Sequence, residues 1–293
     1  MKIDELKDEY LNNLLGLGRQ ESTKKAYDFD LKKFIAYLET REIFEADAVT
    51  TLIIENYRDG LQLLSSTKQR RTMAIKNFFS FLYRREYIQK DPGINVSSIK
   101  VSQNVPEYLS REQYTALIET IKNDKSKPYY KQRDLMIVDL LLKTGLRRAE
   151  IVGLNVGDVE MSKLILRVKR KGNRKTEVRI HYTLVDELKL YLNSINRNPN
   201  EPLFMSKRGN RLSPSSVWHL VKGYARVTGL NNKITVHSLR HTFATSLLSE
   251  AMPLPYIQKL MDHRSPQTTS RYLHVQDNEL TDAFNRVTFG ERG

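Results

Sequence analysis

A histidine and an arginine three residues apart are the first side chains of this sequence that could act on a substrate. They are His237 and Arg240, and His241 follows directly. On a helix, positions three and four apart lie on one face. Arginine binds two phosphate oxygens at once, while histidine donates a hydrogen bond or transfers a proton. The pair suits a phosphodiester better than a metal ion, because the glutamate and the third ligand of the zinc-protease motif are missing.

A further arginine, Arg147, follows the strongly apolar segment 135–142. That segment predicts a buried core helix with Gly145 as its C-terminal cap. An arginine just beyond such a helix is held rigidly near the core. Glu150 lies on the same predicted helical turn, so an ion pair between Arg147 and Glu150 is the simpler interpretation of this segment alone.

A basic turn separates two strand-like runs, 164–168 and 176–180, which together predict a β-hairpin. From residue 163 to residue 179 the chain has eight basic side chains and one acidic one. Charges of one sign at this density repel one another, so contact with phosphate groups explains the turn better than a solvated loop does. We expect Lys169 and Arg174 to make such contacts.

Tyr272 gains its interest from the residues that precede it, because one of 15 tyrosines alone indicates little. In chain order the sequence has Thr-Gly-Leu-Arg-x-x-Glu, Lys-Gly-Asn, His-x-Leu-Arg-His, a further histidine, and Thr-Thr-x-x-Tyr-x-His. This order and spacing resemble the tyrosine recombinase (phage integrase) family over nearly the whole chain, with most similarity to the Xer group and to recombinases borne by transposons or plasmids. The residues that match the family's catalytic set are Arg147, Lys171, His237, Arg240, His263 and Tyr272.

The resemblance implies a site-specific recombinase that cleaves and rejoins DNA without a metal ion or another cofactor. Tyr272 would attack a phosphodiester and form a 3′-phosphotyrosyl enzyme, and strand exchange would proceed through a Holliday junction. The two arginines and His263 would stabilise the negative charge of the transition state. His237 would help remove the tyrosine proton, because the pKa of tyrosine is about 10. Lys171 would protonate the leaving 5′-oxygen.

Two positions depart from the common family pattern. Met261-Asp262-His263 stands where Leu-Gly-His is common, and Arg148 follows the first arginine. Neither change removes a catalytic group. Asp262 could orient His263 or cap a helix, and capping is the simpler expectation. For His241, which follows the second arginine, we expect packing in the core.

The predicted fold is mainly α with a small antiparallel β-sheet. Residues 1–92 would form a helical core-binding domain that contacts DNA, 93–107 a linker and 108–293 the catalytic domain. A helix N-terminus is predicted at Ser110.

Helical periodicity runs through the first hundred residues, with starts predicted at Ser22-Thr23, at residues 49–51 and at Ser65. The last of these helices has apolar core residues that include Met73. Its first turns are basic, and we expect them to meet DNA phosphates or a groove. The basic side chains are Lys68, Arg70, Arg71 and Lys76.

The composition supports a polyanionic partner. The formal net charge is +14, and residues 1–100 carry 17 basic and 15 acidic side chains, whereas 101–293 carry 31 and 19. Such a local excess favours nucleic acid over a membrane surface. The lack of cysteine excludes a disulfide scaffold, a zinc–thiolate site and a cysteine nucleophile. No apolar run approaches the ~20 residues of a membrane span, so we expect a cytoplasmic protein.

The resemblance also implies an assembly. The expected partner is double-stranded DNA with paired inverted half-sites, bound by a homotetramer on two duplexes. A C-terminal apolar stripe could fold back on its own domain, or, as the resemblance implies, it would dock as a helix in the next subunit. The stripe consists of Leu280, Ala283, Phe284 and Val287.

Two other functions remain open: a type IB topoisomerase uses the same groups to relax DNA, and an architectural protein would bind DNA without cleaving it.

Overall fold

The computed structural model describes residues 2–99, 107–170, 174–231 and 233–262. The chain divides into two compact units, Met1–Asn104 and Val105–Gly293. The N-terminal unit is built from α-helices, and the C-terminal unit adds a small antiparallel sheet. This is the predicted fold class, mainly α with a small antiparallel β-sheet.

The helices of the N-terminal unit pack their apolar faces into one core. In α4 the core positions are Ile75, Phe78, Phe79 and Leu82, whose spacings of three and four place them on one face. Fully burying such a side chain contributes about 1.5–3 kcal/mol to folding. The described helices are α1 (Ile3–Gly16), α2 (Glu21–Glu39), α3 (Thr51–Gly60) and α4 (Ser65–Arg84).

Local details of this unit correct two expectations. Helix α2 begins at Glu21, so the predicted cap at Ser22-Thr23 is wrong, and these residues lie inside the first turn. Met73 is 48% exposed and not a core residue. It lies two residues before Ile75, which is about 200° around the helix and therefore on the opposite face. The predicted start after Thr50 is confirmed, because the Thr50 hydroxyl accepts from the backbone of the first turn of α3.

The C-terminal unit surrounds a second core, centred on the apolar helix α6. Its helices are α5 (Arg111–Lys122), α6 (Pro128–Thr144), α7 (Arg148–Gly153), α8 (Val185–Ser194), α9 (Pro214–Val227), α10 (Val236–Ser249) and α11 (Leu254–Met261). The predicted helix start at Ser110 is confirmed by a capping box with Gln113. In the described parts of both units, no helix is long and apolar enough to cross a bilayer.

The predicted hairpin is present, and a short strand extends it to a three-stranded antiparallel sheet. The strands are β1 (Val159–Glu160), β2 (Ile165–Lys169) and β3 (Lys175–Arg179), in the order β1-β2-β3. Leu166 pairs with Val178, and both side chains are buried. Lys169 pairs with Lys175, so these two residues form the last pair before the basic turn that connects β2 to β3.

Candidate active site

Arg240, on α10, is deeply buried, with 4% of its surface exposed. Its guanidinium donates hydrogen bonds to the carbonyl oxygens of Gly145 and Met261. Gly145 follows α6 and Met261 ends α11, so this side chain joins the ends of two helices to a third. Carbonyl oxygens are uncharged acceptors. These two acceptors hold the arginine in place.

The start of α10 is anchored by hydroxyl groups. Thr235 and Ser238 form a reciprocal capping box at its first turn. The Thr242 hydroxyl donates to the carbonyl oxygen of Ser238 at 3.0 Å and accepts from the backbone N–H of Leu109 at 2.9 Å. These contacts fix the axial position of the helix that carries His237 and Arg240, and they tie it to the beginning of the C-terminal unit.

Gly145 allows α6 to end directly against α10. Its backbone is left-handed, with φ 62°, as the predicted glycine cap requires. A Cβ atom at this position would also overlap the ring of Phe243 on α10. Because glycine has no side chain, its carbonyl group can approach α10 closely enough to accept from Arg240.

Arg147 is held by the buried carboxylate of Glu150. This carboxylate accepts from the backbone N–H of Arg147 and from its Nη1 atom, both at 2.8 Å. The ion pair predicted for this segment is therefore present. The Arg147 side chain remains 46% exposed. Glu150 thus orients the start of α7 and the guanidinium together, while part of that guanidinium faces the surface.

The rings of His237 and His241 contact each other edge to face on α10. Their centroids lie 4.3 Å apart with an interplanar angle of 76°. His237 is exposed and His241 half-buried, so the expected core packing of His241 is only partial. Among the residues that the structure describes, no three side chains of the histidine, cysteine, aspartate and glutamate types cluster as metal ligands would.

Arg170 and Arg174, at the two ends of the basic turn, contact Asp262. Asp262 occupies the C-cap position of α11, with φ 49°, as the expectation of a helix cap requires, and its side chain forms ion pairs with Arg170 and Arg174. Partial burial acts to raise its pKa, but the hydrogen bond from Arg174 and the charge of Arg170 keep the pKa below its usual range. Lys169, at the end of β2, is exposed.

The basic start of α4, in the N-terminal unit, lies over a buried carboxylate. Asp30 on α2 is fully buried and accepts two hydrogen bonds from Arg70, whose side chain is 48% exposed. Arg71 lies 3.5 Å from the same carboxylate. Sequence reasoning missed Asp30. The sequence feature that could have identified it is a charged residue on the apolar face of α2, four residues before the core position Phe34.

The two remaining basic candidates of α4 contact backbone carbonyls. The Lys68 ammonium donates to the carbonyl oxygen of Asp59 at 3.3 Å, and that of Lys76 donates to Val96 at 3.0 Å. Val96 is buried against the N-terminal core. All four candidates of this unit therefore make intramolecular contacts in the structure.

Three predicted catalytic residues, Lys171, His263 and Tyr272, lie outside the described residues, as does the C-terminal stripe. Residues close in sequence to Lys171 and His263 are described. Arg170 and Arg174 flank Lys171, and Asp262 directly precedes His263. The described structure therefore brings together the segments that contain Arg147, Arg240 and the sequence neighbours of Lys171 and His263.

Two family models match the chain. The phage integrase family model matches residues 107–279, and the model of the phage integrase N-terminal SAM-like domain matches residues 8–86. Curated relatives match almost the full length. A tyrosine recombinase XerD from Staphylococcus epidermidis is 32% identical, over 93% of this chain and 95% of the relative. A tyrosine recombinase XerC from Thermodesulfovibrio yellowstonii is 32% identical, over 94% of each chain.

Solved structures of recombinases share the fold. The XerH site-specific recombinase, in a post-cleavage complex with a palindromic difH substrate, superposes with a TM-score of 0.76. It is 21% identical, over 90% of this chain and 79% of that chain. The XerA recombinase is 26% identical, over 98% of this chain and 99% of that chain, with a TM-score of 0.54.

Proposed function

This chain belongs to the phage integrase family, and we propose on that premise that it is a site-specific tyrosine recombinase acting on double-stranded DNA. The single observation that carries the proposal is the placement of Arg240. Its two carbonyl contacts connect the segment before Arg147 with the segment before His263. Segments that are distant in sequence and contain proposed phosphate-binding groups are thereby joined.

The reaction begins with attack of the Tyr272 oxygen on a DNA phosphorus atom. The new tyrosine–phosphorus bond leaves a 3′-phosphotyrosyl enzyme, and the bond to the 5′-oxygen breaks. A 5′-hydroxyl group of a partner strand then reverses the step. Two such exchanges, the first giving a Holliday junction, recombine two duplexes. The covalent link conserves the energy of the phosphodiester, so the cycle needs no nucleotide cofactor.

Arg147 and Arg240 bind the non-bridging oxygens of the attacked phosphate, where negative charge accumulates in the transition state. Removing one such electrostatic contact in other enzymes costs about 3–4 kcal/mol. His263 donates a further hydrogen bond to these oxygens. Positive charge and hydrogen-bond donors of this density do what a divalent metal ion does in other phosphoryl-transfer sites.

Two groups handle protons in the proposed mechanism. His237, exposed at the start of α10, assists removal of the tyrosine proton, and its contact with His241 restricts the ring. Lys171 gives a proton to the leaving 5′-oxygen. Its place in the sequence, between Arg170 and Arg174, puts it in the basic turn between β2 and β3.

DNA contacts outside the reacting phosphate come from both units. We propose a helical DNA-binding domain over residues 1–92, a connecting segment over 93–107 whose first residues pack against that domain, and a catalytic domain over 108–293. Phosphate contacts would position the duplex rather than read its sequence. The proposed contact residues are Lys68, Arg70, Arg71, Lys76, Lys169 and Arg174.

The proposed assembly is a homotetramer on two duplexes with paired inverted half-sites, acting in the cytoplasm. Four active sites are needed because recombination cleaves four strands. Closed cyclic symmetry follows if each C-terminal stripe docks in the next subunit. Removing the chain after Val275 should then leave binding to one half-site but abolish cooperative binding to the paired site.

Covalent trapping tests the proposed function. Fragments selected from random DNA by binding would be remade with a 5′-bridging phosphorothiolate, which prevents religation. The wild type should form a protein–DNA band on a denaturing gel, and Tyr272→Phe should bind the DNA but form none. EDTA should leave the band unchanged. A protein that binds the selected DNA but traps none of it is an architectural protein and not a recombinase.

A further inference from the structure

One carboxylate connects both sides of the basic turn to the end of α11. Asp262 Oδ2 lies 3.0 Å from Nη1 of Arg170, and the other carboxylate oxygen accepts a hydrogen bond from Arg174. The two arginines also close the turn, because the backbone N–H of Arg170 donates to the carbonyl oxygen of Arg174 at 2.8 Å. We call Arg170, Arg174 and Asp262 the turn clamp.

The backbone of Asp262 does not explain the presence of an aspartate. Its φ of 49° and ψ of 46° lie in the left-handed region, which favours glycine and tolerates aspartate or asparagine. The recombinases that this chain resembles commonly have glycine between the leucine and the histidine of this motif. This chain therefore carries a side chain where the backbone needs none, and that side chain makes the clamp.

Burial makes this contact more than a surface ion pair. The Arg170 side chain is buried, and most of the Asp262 side chain is shielded from water. Attraction between opposite charges increases as water is excluded, and a buried arginine that loses its carboxylate is left uncompensated. Arg174 is more exposed and adds a second contact from the other side of the turn.

We propose that Asp262 is a positioning residue for Lys171. This inference rests on the proposed function, in which the Lys171 ammonium gives its proton to the 5′-oxygen as the phosphorus–oxygen bond breaks. Lys171 follows Arg170 directly, and only three residues separate Arg170 from Arg174. Attaching both sides of so short a turn to α11 restricts the positions that the lysine between them can reach.

A substrate with sulfur in place of the leaving 5′-oxygen distinguishes two roles for Asp262: positioning of the general acid Lys171, and support of the active-site structure as a whole. A thiol has a pKa of about 8.5, so a thiolate leaves without the protonation that an alkoxide requires. Single-turnover cleavage of the oxygen substrate by Asp262→Asn should be slower than wild type by about 10–100-fold. Cleavage of the sulfur substrate should be slower by less than about threefold. Equal slowing on both substrates would overturn the inference.

Two further variants control for strain and for charge. Asp262→Gly suits the left-handed backbone and removes the carboxylate, so it should repeat the cleavage behaviour of Asp262→Asn, with relief of backbone strain offsetting part of the stability lost with the ion pair. Glu119→Gln removes an exposed carboxylate from α5 with the same change of net charge, and it should cleave both substrates as the wild type does. A Glu119→Gln defect like that of Asp262→Asn would assign the effect to net charge and overturn the inference.

The Lys171→Ala background gives the most specific result. If Asp262 acts through Lys171, Lys171→Ala/Asp262→Asn should cleave the oxygen substrate as slowly as Lys171→Ala alone. Additional slowing in the double variant would mean that Asp262 acts elsewhere. If the wild type forms no adduct with either substrate, the proposed function itself fails. If only the substrate dependence is missing, the recombinase assignment stands and the role of Asp262 does not.

Discussion

Two arginines expected to bind the same phosphate are held in opposite ways. Arg240 is buried and donates to two uncharged backbone carbonyls. Arg147 is about half exposed and paired with the buried carboxylate of Glu150. Both arrangements restrict a flexible side chain before substrate binds. For Arg147 the partner is a negatively charged group.

This difference indicates that Arg240 and Arg147 contribute to catalysis in different ways. Two uncharged carbonyl oxygens hold Arg240, and its burial strengthens the field that its charge exerts. The carboxylate holds Arg147 more firmly but offsets part of its charge. We therefore expect catalysis to depend on the charge and planar shape of Arg240, and on the placement of Arg147 by Glu150.

Substitution of Arg240 should have the largest effect. Arg240→Ala should slow single-turnover cleavage by about 100-fold or more, which corresponds to about 3–4 kcal/mol at the upper end. Arg240→Lys should be nearly as slow, because an ammonium group cannot match the planar fork that reaches two carbonyls and a phosphate. Arg208→Lys, at an exposed loop position, is the control. Near-normal cleavage by Arg240→Lys would remove the distinction between the two arginines.

Gly145→Ala tests how the carbonyl acceptor of Arg240 is placed. The substitution combines a left-handed backbone with overlap on Phe243, so it should lower the free energy of unfolding in urea by about 2–3 kcal/mol. Gly209→Ala is a matched control, because Gly209 has φ 77° and open space around its Cβ position. That control should lose only about 1 kcal/mol. Equal losses of unfolding free energy in the two variants would show that Gly145 does not need to lack a side chain for α6 to pack against α10.

Glu150→Gln should produce a smaller loss. The amide oxygen can still accept from the backbone of Arg147, but the ion pair with the guanidinium is gone. Because that guanidinium is about half exposed, water screens the pair, and the loss should be about 1 kcal/mol, or roughly fivefold in cleavage rate. An unchanged rate, measured beside Glu119→Gln, would mean that Arg147 does not need Glu150 for its placement.

The salt dependence of DNA binding should show the smallest differences. Each phosphate contact contributes about 0.9 to the slope of log affinity against log salt. Lys169→Gln should reduce the slope by about this amount. Arg174→Gln should reduce it less, because Asp262 already neutralises part of the Arg174 charge. Equal reductions would show that a carboxylate partner does not weaken an arginine's contribution.

Local features of this molecule could be predicted from the sequence, and distant contacts could not. The Ser110 capping box, the Gly145 cap and the hairpin each depend on residues close together in the chain. Asp262 contacts Arg174 across 88 residues, and Arg240 contacts Gly145 across 95. Periodicity carries no information about such pairs. The unusual aspartate before His263 was visible, but its partner was not.

Identification of the residue that is linked to DNA tests the central claim most directly. Trypsin cleaves after Arg271 and Arg286, so the proposed nucleophile begins its own peptide, residues 272–286. After trapping, nuclease treatment and digestion, mass spectrometry should find a nucleotide joined through its 3′-phosphate to Tyr272. A nucleotide on a different tyrosine peptide, or joined through a 5′-phosphate, would contradict the proposed mechanism.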